Sequence, residues 1–209
     1  MSPVKAVKPV VFILSLVPAV WLTYGLFYGD LGANPAEAIQ LETGIWTFRF
    51  LIITLLITPV RRWTGENRVI QFRRMLGLFA FFYGTLHFLS YFAFDLAFAW
   101  SELPNEIAQR PFITAGMVSF LAMVPLAITS TRGWIRRLGR RWQSLHRLIY
   151  LSAAAAAIHY VWKVKVVIGS PVYYAAIVAI LLAVRLAWWM QRRRAAVPAR
   201  RGPAKTGAN

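Results

Sequence analysis

The chain contains three histidines, His87, His146 and His159, and each lies within or at the edge of a long apolar stretch. Ionisable side chains are costly inside a lipid bilayer, and those that occur there usually serve a function. A neutral imidazole is a common metal ligand, and a titrating one can carry protons. The depths of these side chains, and the helices that carry them, therefore decide which chemistry the chain can support.

The composition is that of a basic membrane protein. Hydrophobic residues make up 58% of the 209 positions, and 24 Lys+Arg face only 7 Asp+Glu. The arginines cluster between apolar stretches, which is typical of membrane topology signals and not of a nucleic-acid-binding surface. There is no cysteine. Disulfides, iron–sulfur clusters, thiolate zinc sites and covalently attached haem are therefore excluded.

Six apolar segments are each long enough to cross a bilayer as a helix, which takes about 20 residues. They are residues 9–28, 44–60, 75–97, 112–130, 144–162 and 171–190. The first is long for a signal peptide and is followed by only a weak cleavage pattern, so we expect an uncleaved helix. The predicted fold class is an all-α membrane protein, a six-helix bundle over residues 1–190. A basic tail, 191–209, is expected to be disordered.

Lysines and arginines are concentrated in alternate connections, on the side of both termini. The opposite connections, 29–43, 98–111 and 163–170, hold only Arg110, Lys163 and Lys165. The positive-inside rule then predicts that both termini are cytoplasmic. The sequence shows no internal repeat, which counts against a transporter built from inverted halves.

This orientation assigns a depth to each histidine. His87 lies about 18 Å along the third span and His159 about 22 Å along the fifth, whereas His146 is only about 3 Å in. His87 and His159 thus share the outer half of the membrane on two different helices. That arrangement suits two axial imidazole ligands of one haem iron.

Small residues precede both outer histidines by about one helical turn. Gly84 lies three residues before His87, and Ala155 and Ala156 lie four and three residues before His159. Residues at this spacing share a helix face, so each histidine stands beside a nearly bare backbone patch. A flat porphyrin could lie between helices there.

A second, inner haem stays open at this stage. His146 lies about 20 Å from His159 along an ideal helix, a plausible separation for two redox centres. The two positions are about 140° apart around the helix axis, however. Thirteen residues before His87, where a second inner ligand would be expected, the chain has Arg74.

Two arginines within the apolar segments are candidate partners for haem propionates. Arg49 and Arg185 could each bind a carboxylate with two hydrogen bonds. Alternatively, both could extend their charged groups to the membrane interface.

Other uses of the histidines also stay open. A histidine in a membrane bundle can simply hydrogen-bond to a neighbouring helix. Proton transport would favour Asp or Glu within the spans, where they are nearly absent. A zinc site needs three or four ligands, and no acidic partner shares the depth of the outer pair.

Several segments resemble a known family. The six spans, the single histidine on the third and the pair on the fifth resemble the ferric-reductase-like transmembrane domains. The segments LETGIWTFRFLIITLLITPVRR, RRMLGLFAFFYGTLHFLSYF and LGRRWQSLHRLIYLSAAAAAIHYVWKVK are more closely similar to the MsrQ (YedZ) family of bacterial haem-binding membrane subunits. The likeness extends to about residue 190.

The resemblance implies a multi-pass inner-membrane protein with b-type haem held by His87, His159 and, less securely, His146. Electrons would pass to a periplasmic molybdopterin partner of the MsrP type, which repairs oxidised methionines. The quinone pool, a cytosolic flavin reductase or bound FMN would supply them. The chain lacks the second histidine on span 3 and the C-terminal flavin and NADPH domain of NADPH oxidases.

The resulting hypothesis is a transmembrane electron-transfer subunit without catalytic residues of its own. The same fold could serve another acceptor, as a ferric reductase does. A haem-free proton or solute transporter and a purely structural assembly subunit are the rivals from other classes.

Overall fold

A computed structural model describes residues 3–29, 31–164 and 170–195, and every regular element in these ranges is helical. The α-helices are α1 Pro3–Tyr28, α2 Pro35–Thr64, α3 Arg73–Ser90, α4 Leu103–Gln109, α5 Pro111–Ile128, α6 Arg132–Leu138, α7 Arg140–Leu145, α8 Leu148–Val164 and α9 Ser170–Ala195. Short 3₁₀ segments cover Asn67–Phe72 and Trp100–Glu102, and a π-helical turn, Tyr91–Asp95, follows α3. The predicted all-α class is confirmed.

Five helical stretches in the described part of the chain are long and apolar enough to cross a membrane. They are Ala6–Tyr28, Pro35–Thr64, Asn67–Asp95, Pro111–Ile128 and Ser170–Ala195. The remaining predicted span corresponds to α8, which has 17 residues. Residues 165–169, which follow α8, lie outside the described residues, so the sixth span stays a prediction.

The fifth predicted span, 144–162, has a different boundary in the structure. α7 ends at Leu145, a turn follows at His146 and Arg147, and α8 begins only at Leu148. The Trp142 indole N–H donates to the Thr129 carbonyl oxygen at 2.9 Å. This contact ties the residues before α8 to the end of α5, so they do not continue the α8 helix.

The other boundaries also shift. α2 begins at Pro35 and not at the predicted residue 44. The Asn34 side chain caps the helix by accepting a hydrogen bond from the Glu37 N–H, and proline is favoured in the first helical turn. α9 continues to Ala195, five residues into the predicted tail. The rest of that tail, residues 196–209, lies outside the described residues.

Four helices form the centre of the bundle. α2 packs along α3, and α5 packs along α8. The two pairs meet where α3 contacts α5 and where α2 contacts α8. Small residues allow the close approach: Ala153 is fully buried, and the Ser119 hydroxyl donates to the Ser152 carbonyl oxygen at 2.9 Å. Such small-residue contacts hold membrane helices together, because lipid removes the hydrophobic drive for packing.

Helix α1 lies at the edge, and one buried tyrosine of α3 forms hydrogen bonds with its backbone. The Tyr83 hydroxyl donates to the Ser15 carbonyl oxygen at 2.8 Å and accepts from the Ala19 N–H at 3.1 Å. An uninterrupted α-helix would join those two backbone groups to each other. Pro18, which lacks an N–H, weakens the helix at this point. Tyr83 thus bridges a weak turn of α1.

We expect Tyr83→Phe to lower the free energy of unfolding by about 1 kcal/mol, because two backbone hydrogen bonds lose their bridging hydroxyl. Thermal unfolding of the protein in detergent would measure the change. Tyr173→Phe is the matched control, since its side chain is 65% exposed. Equal melting temperatures for wild type and Tyr83→Phe would contradict the bridging role.

Candidate functional site

His87 and His159 face each other across the centre of the bundle. His87 is on α3 and His159 on α8. Their ring centroids are 6.0 Å apart, and the ring planes are inclined by 75°. The structure therefore brings together the two histidines that the depth argument paired.

Each of these imidazoles is held by a backbone carbonyl group of a neighbouring helix. His87 Nδ1 lies 2.9 Å from the Gln40 carbonyl oxygen on α2, and His159 Nδ1 lies 2.7 Å from the Phe112 carbonyl oxygen on α5. A carbonyl oxygen can only accept, so Nδ1 carries the proton in both rings. The other nitrogen, Nε2, then has a free lone pair in each. Metal-binding histidines are usually held in this way.

A glycine on each neighbouring helix makes room for the imidazole. A Cβ atom added to Gly44 would lie 3.0 Å from His87 Cε1, and one added to Gly116 would lie 2.8 Å from His159 Nδ1. Both distances are tighter than ordinary contacts between carbon and ring atoms. The two rings therefore occupy space that only glycine leaves open, and the sequence argument missed both residues.

The two halves of the site repeat the same contacts. Each histidine bonds to a carbonyl group 47 residues earlier in the chain. The glycine beneath each ring follows that carbonyl residue by four positions, at Gly44 after Gln40 and at Gly116 after Phe112. The pairs α2–α3 and α5–α8 are thus built alike at the histidines, although no repeat is evident from the sequence.

A cavity surrounds the two histidines and reaches the start of α5 and the end of α8. Its walls are mostly apolar and include Phe48, Phe88, Phe120, Met117 and Met123. Of the small residues that the sequence indicated, Gly84 and Ala156 line it. This environment suits a flat apolar ligand.

Two cations lie among the residues that line this cavity, Arg110 and Lys163. Arg110 Nη1 is 3.2 Å from Glu106 Oε2, and its side chain is 53% exposed. Lys163 Nζ lies 5.4 Å from the centre of the Phe112 ring. The carboxylate of Asp95 also lines the cavity and accepts from Gln40 Nε2 at 2.9 Å. The cavity therefore combines apolar walls with charges of both signs, and its two cations suit an apolar ligand with carboxylate groups.

Comparisons with known proteins show the family of the chain. The family described as "Ferric reductase like transmembrane component" matches residues 43–157, more than half of the chain. A protein of Xanthomonas euvesicatoria named "Protein-methionine-sulfoxide reductase heme-binding subunit MsrQ" is 45% identical over 199 residues, covering 92% of this chain and 91% of the relative. The chain belongs to the MsrQ family.

Further relatives carry the same name. The MsrQ of Herminiimonas arsenicoxydans is 47% identical, with 90% of this chain and 87% of the relative covered. That of Brucella anthropi is 43% identical, with 96% and 93% covered. No solved structure matches the chain at a significant level. The resemblance seen in the sequence is confirmed at the level of the MsrQ family.

In this MsrQ family member, the two arginines expected near haem propionates lie elsewhere. Arg49 Nε donates to the Tyr174 hydroxyl at 3.1 Å, and its guanidinium lies 4.6 Å from the Trp46 ring centre. Arg185 bonds to the Tyr150 hydroxyl and lines a second cavity at the other end of the bundle. Neither arginine lines the histidine cavity, because neighbouring tyrosines hold both side chains away from it.

The third histidine is engaged in a separate cluster. His146 Nε2 lies 3.1 Å from Thr129 Oγ1, and the Trp142 ring stacks on the imidazole at 3.8 Å between centroids. The Thr129 hydroxyl donates to the Pro125 carbonyl oxygen at 2.6 Å, so it accepts from His146 Nε2–H. Since the other two histidines face each other, His146 has no histidine partner within the chain. The structure thus gives no support to a second bis-imidazole site.

We expect Gly116→Ala to lower the free energy of unfolding by about 1–3 kcal/mol, because the added methyl group overpacks against His159. Thermal unfolding in detergent would measure this loss. Gly133→Ala is the control, since a Cβ there would meet only Thr131 Oγ1 at 3.9 Å. A Gly116→Ala protein as stable as the control would show that the ring can move freely.

Proposed function

We propose that the chain is the haem-binding membrane subunit of a protein-methionine-sulfoxide reductase system, with His87 and His159 as the axial ligands of one b-type haem. The observation that carries this proposal is the pair of adjacent imidazoles, each with its Nδ1 held by a backbone carbonyl group. With metal–nitrogen bonds of about 2 Å on either side, the centroids of two axial imidazoles lie roughly 6 Å apart. The observed 6.0 Å fits that requirement.

The remaining features of the cavity fit a haem as well. Because the chain has no cysteine, the haem would be held without thioether bonds. The apolar walls would contact the porphyrin. Arg110 and Lys163 would pair with its propionates, in place of the arginines first considered.

The ligand arrangement favours electron transfer over catalysis on a bound substrate. When bound, haem supplies an iron that gains and loses one electron. His87 and His159 would occupy both axial positions and leave none for a substrate. Their bonds to Gln40 and Phe112 would hold the rings in place during the redox change. The chain then acts as an electron carrier without catalytic residues of its own.

The direction of transfer follows from the charge distribution. With α8 as a sixth span and both termini in the cytoplasm, the histidine cavity lies near the periplasmic side of the inner membrane. Electrons would leave it for a periplasmic MsrP-type molybdopterin subunit that repairs oxidised methionines. The names of the relatives support this acceptor. The donor would be the quinone pool or a cytosolic flavin reductase, with FMN as a further cofactor that the family resemblance suggests.

The reduced-minus-oxidised absorption spectrum of the purified protein tests the ligand assignment. We expect a sharp b-type signal in wild type and its loss in both His87→Ala and His159→Ala, because each variant removes one axial ligand. His146→Ala should keep the full haem content, since Thr129 occupies its Nε2. A haem content halved in His146→Ala would instead establish a second haem. A well-folded wild type without haem would favour the transporter.

A second candidate function is electron delivery to another acceptor, and the match to the ferric-reductase-like family favours it. The two functions differ in what reoxidises the dithionite-reduced protein. With the molybdopterin subunit present, methionine sulfoxide should reoxidise the haem. Reoxidation by ferric chelates alone, without an effect of the molybdopterin subunit, would support the alternative.

We expect Arg110→Gln and Lys163→Gln each to increase the rate of haem loss by roughly three- to tenfold, because a charge-assisted contact to a propionate is removed. Transfer of haem to apomyoglobin would measure the rate. Arg49→Gln serves as the comparison, since Arg49 does not line the cavity. Faster haem loss in Arg49→Gln than in the other two variants would support Arg49 as the propionate partner.

A further inference from the structure

A second cavity lies at the end of the bundle opposite the histidines. It is enclosed by α2, α3, α8, α9 and the 3₁₀ segment before α3. Its charged lining consists of five arginines: Arg61, Arg62, Arg73, Arg185 and Arg192. The proposed electron transfer at the histidine pair uses none of them.

No acidic group among the described residues balances the positive charge of this cavity. No carboxylate is among its lining residues. The ion pairs in the described part of the chain join Arg68 to Glu66 and Arg110 to Glu106, and neither includes an arginine of this cavity. Converging guanidinium groups repel one another, and a bound anion would remove that repulsion.

The Arg185 side chain is held inside the bundle. It lies ten residues before the end of α9 at Ala195, about 15 Å along the helix. Its Nη1 donates to the Tyr150 hydroxyl at 3.0 Å, and its Nη2 donates to the Leu55 carbonyl oxygen. These two bonds turn the guanidinium inward and fix it, whereas a snorkelling arginine would extend toward the membrane surface.

Polar groups at the cavity lack partners within the described residues. Arg185 Nε and Thr58 Oγ1 are both buried and make no hydrogen bond. The Tyr150 hydroxyl accepts from Arg185, so its own hydrogen is available to an acceptor. Buried polar groups are normally satisfied, and unpaired ones call for an explanation. A ligand with several acceptor oxygens would satisfy all three.

We propose that this cavity binds a phosphate group at the end of the bundle that carries the termini. Guanidinium groups present donors in a planar fork that matches phosphate oxygens. Arg62 is already oriented by the Trp188 ring, 4.1 Å below it. The phosphate could belong to an acidic phospholipid headgroup or to a soluble phosphate monoester. The proposal is independent of the haem assignment.

Native mass spectrometry of the haem-loaded protein in detergent tests this site. Dioleoyl phosphatidylglycerol is the lipid probe, phosphatidylcholine is its zwitterionic control, and glycerol 3-phosphate is the soluble probe. The variants are Arg185→Gln and Arg61→Gln. Arg74→Gln, which removes an exposed arginine outside the cavity, is the control for lost charge. Thermal unfolding reports whether each variant is folded. If Arg185→Gln misfolds, Arg61→Gln and Tyr150→Phe test the site in its place.

We expect both cavity variants to weaken phosphatidylglycerol binding by roughly tenfold, as for the loss of a hydrogen bond to a charged group. Arg74→Gln should bind within about twofold of wild type. A matching effect on glycerol 3-phosphate would identify a soluble phosphate as the ligand, whereas an effect on the lipid alone would identify the headgroup. Binding of neither probe, or equal losses in Arg74→Gln, would overturn the proposal.

Discussion

The candidate site depends on two hydrogen bonds from imidazole N–H groups to backbone carbonyl groups. In a bilayer, a carbonyl group in a helix is normally satisfied within its own helix, so a second bond to it is available to a neighbouring side chain. His87 and His159 use Gln40 and Phe112 in this way. The bonds determine which nitrogen is free, and they tie α3 to α2 and α8 to α5. The same contacts therefore set both the helix packing and the chemistry.

The architecture follows from repeating this unit. Each helix pair contributes one carbonyl group, one glycine and one histidine, and the two pairs meet with their histidines facing. Equivalent contacts in the two pairs hold His87 and His159 next to each other. His146 has no counterpart in this pattern, and it serves instead in the turn that precedes α8.

The histidine pair was predictable from the sequence because it depends only on depth. Rise per residue and the distribution of Lys and Arg determine depth, and both can be read from a linear chain. Gly44 and Gly116 could not be found in this way, since their role depends on the rotation of neighbouring helices. The placement of Arg49 outside the cavity could not be predicted for a related reason: its long side chain turns toward a tyrosine on another helix. The boundary at Leu148 depends on contacts of Trp142 that span sequence-distant elements.

The acceptors that hold the two imidazoles are backbone carbonyl groups, and this has a consequence for mutation. Replacing the side chain of Gln40 or Phe112 leaves the carbonyl oxygen in place, and with it the bond to His87 or His159. The tautomers of the two rings are therefore insensitive to a single side-chain substitution at the positions that set them. A side-chain acceptor such as a carboxylate would be lost with its residue.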